Sequence, residues 1–411
     1  MHTHIRVPGL VCVEHVFEVP LDHARPQGPT IEVFAREVAD PDGTDRPLLV
    51  YFQGGPGHEA VRPSGRPRSP GWLDHALSDY RVLLLDQRGT GRSAPVGQPP
   101  GMTAREQADY LTHFRADSIV RDAELVRQGL EVDRWSVLGQ SFGGFCVLAY
   151  LSLAPAGLRE ALLTGGLPPL RRSIDEVYAR TYARVLERNR RYYERFPEDR
   201  ERVRRLRTAV EDGGIVLPDG DQLTWRRLRQ LGLMLGMSDG AESLHHILEL
   251  PVDSPAFLHD VAGAPGFARN PLYAILHESS YADGGVTAWA AERVLPREFD
   301  DDLDLFTGEH VYPWMFDDYR ALAPLRDAAQ LLARHEWPVL YDPDVLAANE
   351  VPCAAAIYTE DMYVERAFSE DTAAQIARMR PWVTSEFDHN GLRADGGRVL
   401  GHLLDLVRGR A

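Results

Sequence analysis

The stretch Val137-Leu138-Gly139-Gln140-Ser141-Phe142-Gly143-Gly144-Phe145 constrains this chain more than any other. An apolar run over 135–138 meets a Gly-x-Ser-x-Gly turn, and an apolar run with helical character follows over 145–153. Strand, sharp turn and helix, with a serine at the apex, is the order of a nucleophile elbow. Gly139 and Gly143 stand two residues before and after Ser141, where larger side chains would collide with so tight a bend. The bend lifts a hydroxyl clear of the sheet at a helix N-terminus, where the Phe142 backbone N–H can meet a developing oxyanion. A bare motif of this kind is also an ordinary glycine-rich turn; the strand before it and the helix after it argue for the nucleophile.

An elbow needs a sheet beneath it, and the chain supplies the strands. Residues 15–21 and 31–38 alternate apolar and polar, as two half-buried antiparallel strands joined through 22–29 would. Continuous apolar runs at 48–52 and 82–85 read as central strands buried on both faces. A long helical pattern over 103–130 crosses to the elbow strand, and 158–163 reads as the next strand. Strands alternating with helices predict a mostly parallel sheet. After Gly165-Gly166-Leu167-Pro168-Pro169 the texture changes. Residues 171–345 carry helical patterns at 178–195, 200–211, 225–237, 242–250, 273–278, 287–294 and 319–335, without strand alternation. Strands at 353–358 and 382–385 and helices at 372–379 and 398–407 then complete the sheet. The expected division is a core over 1–167, a helical insertion over 168–348 and a second part of the core over 349–411.

Charge and composition exclude several functions. A net charge of −16 repels phosphate backbones and anionic lipid, so neither nucleic acid nor a membrane is an expected partner. The chain has no lysine; all 45 basic residues are arginine, so no Schiff-base lysine, phosphate-loop lysine or Ser-Lys dyad can be built. Cys12, Cys146 and Cys353 are scattered and odd in number, which predicts neither a disulfide framework nor a zinc site. There is no run of about 18 apolar residues and no leader-like segment after Met1, and the expected location is cytoplasmic. The segment Asp86-Gln87-Arg88-Gly89-Thr90-Gly91-Arg92-Ser93 lacks the lysine, third glycine and following helix of a phosphate cradle.

A serine nucleophile needs a base, and the base an orienting acid. In a parallel sheet the loops after the strands converge on one edge. Asp361 follows the strand at 353–358 and His389 follows the last strand, so the order Ser141, Asp361, His389 gives nucleophile, acid and base. Glu360 is the rival acid, and Asp388 reads as a solvated loop residue. A second oxyanion donor is expected from Gln53-Gly54-Gly55-Pro56-Gly57, straight after a buried strand, with Gly55 as the donor and Gly54 beside it in the substrate pocket.

Gln53-Gly-Gly-Pro-Gly57, Asp86-Gln-Arg-Gly-Thr-Gly-Arg-Ser93 and Gly139-Gln-Ser-Phe-Gly-Gly144, in this order, resemble the prolyl aminopeptidase (proline iminopeptidase) family of α/β-hydrolases. That family's first motif usually begins with His; Gln53 stands there in this chain, with the glycines intact. The resemblance implies an α/β-hydrolase fold with a helical cap, a Ser-Asp-His triad and no cofactor. It also implies release of an N-terminal proline from a peptide or small amide with a free N-terminus, whose amine is held by acidic residues of the cap. Glu278 is the first candidate and Glu309 the second, each amid aromatics, with Tyr281 and Trp314 as pocket residues; a cap glutamate is also ordinary surface charge. The Arg-rich faces at 184–207 read as solvated helix surface. Because the elbow is shared across chemistries while the cap sets specificity, an esterase, lactonase or amidase acting on a small metabolite remains open, and so does a non-catalytic binding protein.

Overall fold

The computed structural model describes residues 2–97 and 101–411. Its main sheet has nine strands: β1 (His2–Val7), β2 (Leu10–Pro20), β3 (Thr30–Ala39), β4 (Leu48–Phe52), β5 (Arg81–Leu85), β6 (Trp135–Gln140), β7 (Leu158–Thr164), β8 (Cys353–Tyr358) and β9 (Met379–Thr384). Their spatial order is β1-β2-β3-β5-β4-β6-β7-β8-β9. The pairs β1/β2, β2/β3 and β3/β5 are antiparallel; from β5 across to β9 every pair is parallel.

The continuous apolar runs arise because both faces of these strands are covered. In β4, Leu48, Val50 and Phe52 enter one core and Leu49 and Tyr51 the other; in β8, Cys353, Ala355 and Ile357 alternate in the same way with Ala354, Ala356 and Tyr358. The first core is shared with helices Ala116–Gly129 and Phe142–Leu153, the second with Leu73–Asp79 and Gly396–Val407. Phe142–Leu153 is apolar all round, as a helix pressed between sheet and neighbours must be.

Between β7 and β8 the named elements are all helical, from Ile174–Arg195 to Pro343–Ala347, and they form the cap. The cap helices expected at 225–237, 287–294 and 319–335 are shorter: Trp225–Arg229 passes into a 3-10 segment, Gln230–Gly236; the second shrinks to Ala290–Arg293 and the third to Arg326–Leu332 after a 3-10 turn. Pro255–Gly263 is a helix that the apolar pattern did not signal. In the core, the helix expected over 103–130 is two, Ala104–Leu111 and Ala116–Gly129. Arg115 is extended between them and buried, its guanidinium donating to the Ala282 and Pro338 carbonyls of the cap segment at 2.9 and 2.7 Å. The helix expected at 372–379 is instead Arg366–Gln375, capped by the Glu365 carboxylate, and the strand expected at 382–385 begins at Met379. β1 is an addition at the sheet edge. Among the described residues, no helix is long and apolar enough to cross a membrane.

Candidate active site

β6 ends at Gln140 and the helix Phe142–Leu153 starts two residues later, so Ser141 alone takes the turn. Its φ of 55° and ψ of −124° lie where a non-glycine residue is strained. A serine before a helix ordinarily ties its hydroxyl to the first turn, but Ser141 makes no such side-chain cap, and its hydroxyl stays uncommitted. The strained backbone is held by Ser141 N–H donating to the Thr164 carbonyl (3.0 Å) and by Gly144 N–H donating to the Ser141 carbonyl (2.7 Å). A Cβ on Gly143 would sit 2.0 Å from the Phe52 carbonyl oxygen, so only glycine lets this helix start close to β4. The Phe142 N–H lies in the first helical turn, where it has no helical acceptor.

Asp361 and His389 follow β8 and β9. Asp361 is buried, and its Oδ1 accepts the N–H groups of Tyr363 (2.8 Å) and Val364 (3.0 Å). Its Oδ2 lies 2.7 Å from Nδ1 of His389, also buried. Nδ1 is thus the ring nitrogen engaged by the carboxylate. The Tyr363 ring meets the imidazole edge-on, with centroids 4.8 Å apart, and fixes its plane. Burial alone would depress the imidazole pKa; the Asp361 carboxylate, then Glu309 and Asp388, outweigh it and hold the value above normal.

Ser141 and His389 line one cavity of about 270 Å³ together with Gln53, Gly54, Gly55 and Glu309. Of the two glutamates, Glu309 is therefore at the cavity. Its Oε1 accepts the Tyr273 hydroxyl (2.6 Å), and its Oε2 lies 3.6 Å from His277 Nε2. Burial would raise its pKa, but His277, through hydrogen bond and charge, and then His389 and Tyr273 bring it below the ordinary carboxylate value. Glu278 borders a different, small void, where its carboxylate accepts the Ala291 N–H at 2.9 Å. Burial pushes its pKa up to about 7. Helical phase separates the two: Tyr273 and His277, four residues apart, share the face toward Glu309, while Glu278 is turned about 100° away.

Tyr281 and Trp314 are not among the residues lining the serine cavity. The Tyr281 hydroxyl donates to the Tyr363 carbonyl at 3.0 Å, and Trp314 stacks on Tyr312 with the Arg226 guanidinium over its ring. Asp388 is not a solvated residue: Arg188, from the helix Ile174–Arg195, pairs with it and also donates to the Glu360 carbonyl at 2.7 Å. Arg184 and Arg191 of the same helix reach Glu365 and Glu360. This Arg-rich face is thus a contact with the loops that carry Asp361 and His389. Sequence reasoning did not single out His58, Gln140, Tyr363 or Met237, all at the cavity. His58 had a signal, standing directly after the Gln53–Gly57 motif; its ring lies edge-on to Tyr273 at 5.7 Å.

A family model described as the alpha/beta hydrolase fold matches residues 47–268. A proline iminopeptidase of Aeromonas sobria is 48% identical, with 98% of each chain covered. Another, from Aspergillus aculeatus, is 36% identical over 96% of this chain and 93% of its own. A probable proline iminopeptidase of Streptomyces coelicolor is 34% identical over 36% of this chain and 40% of its own.

Proposed function

This chain belongs to the proline iminopeptidase family of α/β-hydrolases, and from that premise we propose that it is a serine exopeptidase releasing an N-terminal residue, preferentially proline, from peptides with a free N-terminus. The observation that carries the reading is the single cavity in which Ser141, His389 and the Glu309 carboxylate meet. In this account Ser141 Oγ attacks the carbonyl of the first residue while His389 Nε2 takes the hydroxyl proton. Asp361 orients the imidazole and stabilises it once protonated. The N–H groups of Phe142 and Gly55 receive the oxyanion, with Gly54 keeping the loop close against Ser141. His389 then gives its proton to the leaving nitrogen as the C–N bond breaks, and water hydrolyses the acyl-enzyme with His389 again as base.

Glu309 binds the substrate's ammonium. A charged amine entering a closed cavity loses its hydration, and an ionised carboxylate there offsets that loss. A depressed pKa keeps Glu309 ionised across the neutral range. Glu278 supports the cap from behind. Residues 1–167 and 349–411 act as the catalytic unit and 168–348 as the cap that chooses the substrate; no cofactor or metal takes part. Replacement of Ser141 by Ala tests the mechanism on a proline arylamide. Turnover should fall to background with the fold intact by circular dichroism; retained turnover would remove Ser141 as nucleophile.

A further inference from the structure

A second cavity, of about 350 Å³, also borders His389. Gln53, Gln140, Met237 and His389 line both cavities, whereas Ser141, Glu309 and Tyr273 line only the first. The base therefore stands at the junction of two chambers, one holding the nucleophile and a carboxylate, the other walled by Tyr51, Trp72 and Leu392. The Tyr51 and Trp72 rings pack with centroids 4.8 Å apart, and the Tyr51 hydroxyl donates to Gln53 Oε1 at 2.6 Å. That bond holds the Gln53 carboxamide by its oxygen and leaves its amino group as the end offered to a ligand.

We propose that this second chamber is the leaving-group site, taking the second residue of the substrate and preferring a large apolar or aromatic side chain, with the Gln53 carboxamide donating to the leaving peptide's backbone. The inference rests on the roles given above to Ser141 and His389. Acylation forms the bond from Ser141 Oγ to the carbonyl carbon and breaks the C–N bond. The proton that His389 took from the hydroxyl passes from Nε2 to the departing nitrogen, so the peptide beyond that nitrogen leaves the first cavity alongside the imidazole. A shared His389 with an unshared Glu309 satisfies that arrangement. The aromatic wall then distinguishes second residues by burial, which is worth roughly tenfold or more for one large side chain.

The test compares kcat/KM for Pro-Phe-amide and Pro-Gly-amide in the wild-type protein and in Gly71→Trp. Gly71 borders the second chamber, is exposed, and a Cβ there meets nothing within 4 Å, so a bulky side chain is tolerated by the fold. The wild type should favour the Phe substrate at least about tenfold, and the substitution should lower that ratio several-fold; Val61→Trp, at another wall of the chamber, should act in the same direction. A wild-type ratio near one, or a ratio unmoved by both substitutions, would overturn the assignment. Should neither peptide be cleaved, the exopeptidase reading fails separately. The chamber is then judged on benzyl acetate against methyl acetate, with the same ratios expected and the same equalities contradicting it.

Discussion

Three carboxylates decide when His389 is neutral. Asp361 touches it, and Glu309 and Asp388 act through charge; together they raise the imidazole pKa above its usual 6.5 despite burial. A base works only when neutral, so activity should be lost as pH falls through that raised value, and the acid limb of kcat/KM should lie above the ordinary imidazole range. Glu309→Gln removes one of the raising charges and should move the limb to lower pH, measured on a simple ester that needs no amine contact. Asp361→Asn should cost roughly four orders of magnitude in kcat, because the amide can no longer hold the productive tautomer. That Ser141, Asp361 and His389 each follow a strand of the one sheet was legible in the sequence, because a strand-like run precedes each. At that level Glu278 stood ahead of Glu309, and the structure places Glu309, not Glu278, at the cavity. Both stand amid aromatics, and only the phase of the helix Pro271–Ser280 and the path of the loop at 309 determine which carboxylate reaches the cavity.

At the scale of elements, the helix Ile174–Arg195 ties the cap to the loops that hold Asp361 and His389. Arg188 bridges both, pairing with Asp388 beside His389 and binding the Glu360 carbonyl beside Asp361. The 3-10 segment Gln230–Gly236 adds a second tie, its Gly236 carbonyl accepting the His389 N–H at 3.1 Å. Arg188→Ala should lower kcat roughly 10- to 100-fold by loosening the base. It should also move the acid limb to higher pH, because Asp388 then faces His389 without its counter-charge; a fall in melting temperature alone, with the limb unmoved, would reduce Arg188 to a structural contact. Helical periodicity revealed the helix but not this role. A charged face looks the same in sequence whether water or another loop lies against it, and the partners are 172 and 200 residues away. The break at Arg115 has the same origin: local propensity favours one long helix, and the carbonyls that hold Arg115 extended lie far along the chain.

For the whole molecule, the central strands were legible because burial on both faces leaves unbroken apolar runs, whereas β1, at the sheet edge, has no such run. Cap boundaries were least legible, since short and 3-10 elements there are held by tertiary contacts rather than by periodicity. The cap also carries a pH-dependent stability. Burial raises the Glu278 pKa from an ordinary 4.5 to about 7, so its neutral form is the one the fold prefers. Its contribution is complete below the ordinary carboxylate range and is lost as pH rises through about 7, a span of at most about 3 kcal/mol. Melting temperatures of wild type and Glu278→Gln, compared at a pH below 6 and one above 8, should show the substitution gaining relative to wild type at the higher pH.

Recognition of a free ammonium by Glu309 in the cavity of Ser141 is the central claim. Its test is kcat/KM for a proline arylamide with a free amine against the same compound N-acetylated, in wild type and Glu309→Gln. A charge-assisted contact predicts a wild-type preference for the free amine of roughly 10- to 100-fold or more, collapsing in the variant. Equal turnover of the blocked and free substrates by the wild type, or a preference that survives Glu309→Gln unchanged, would contradict it.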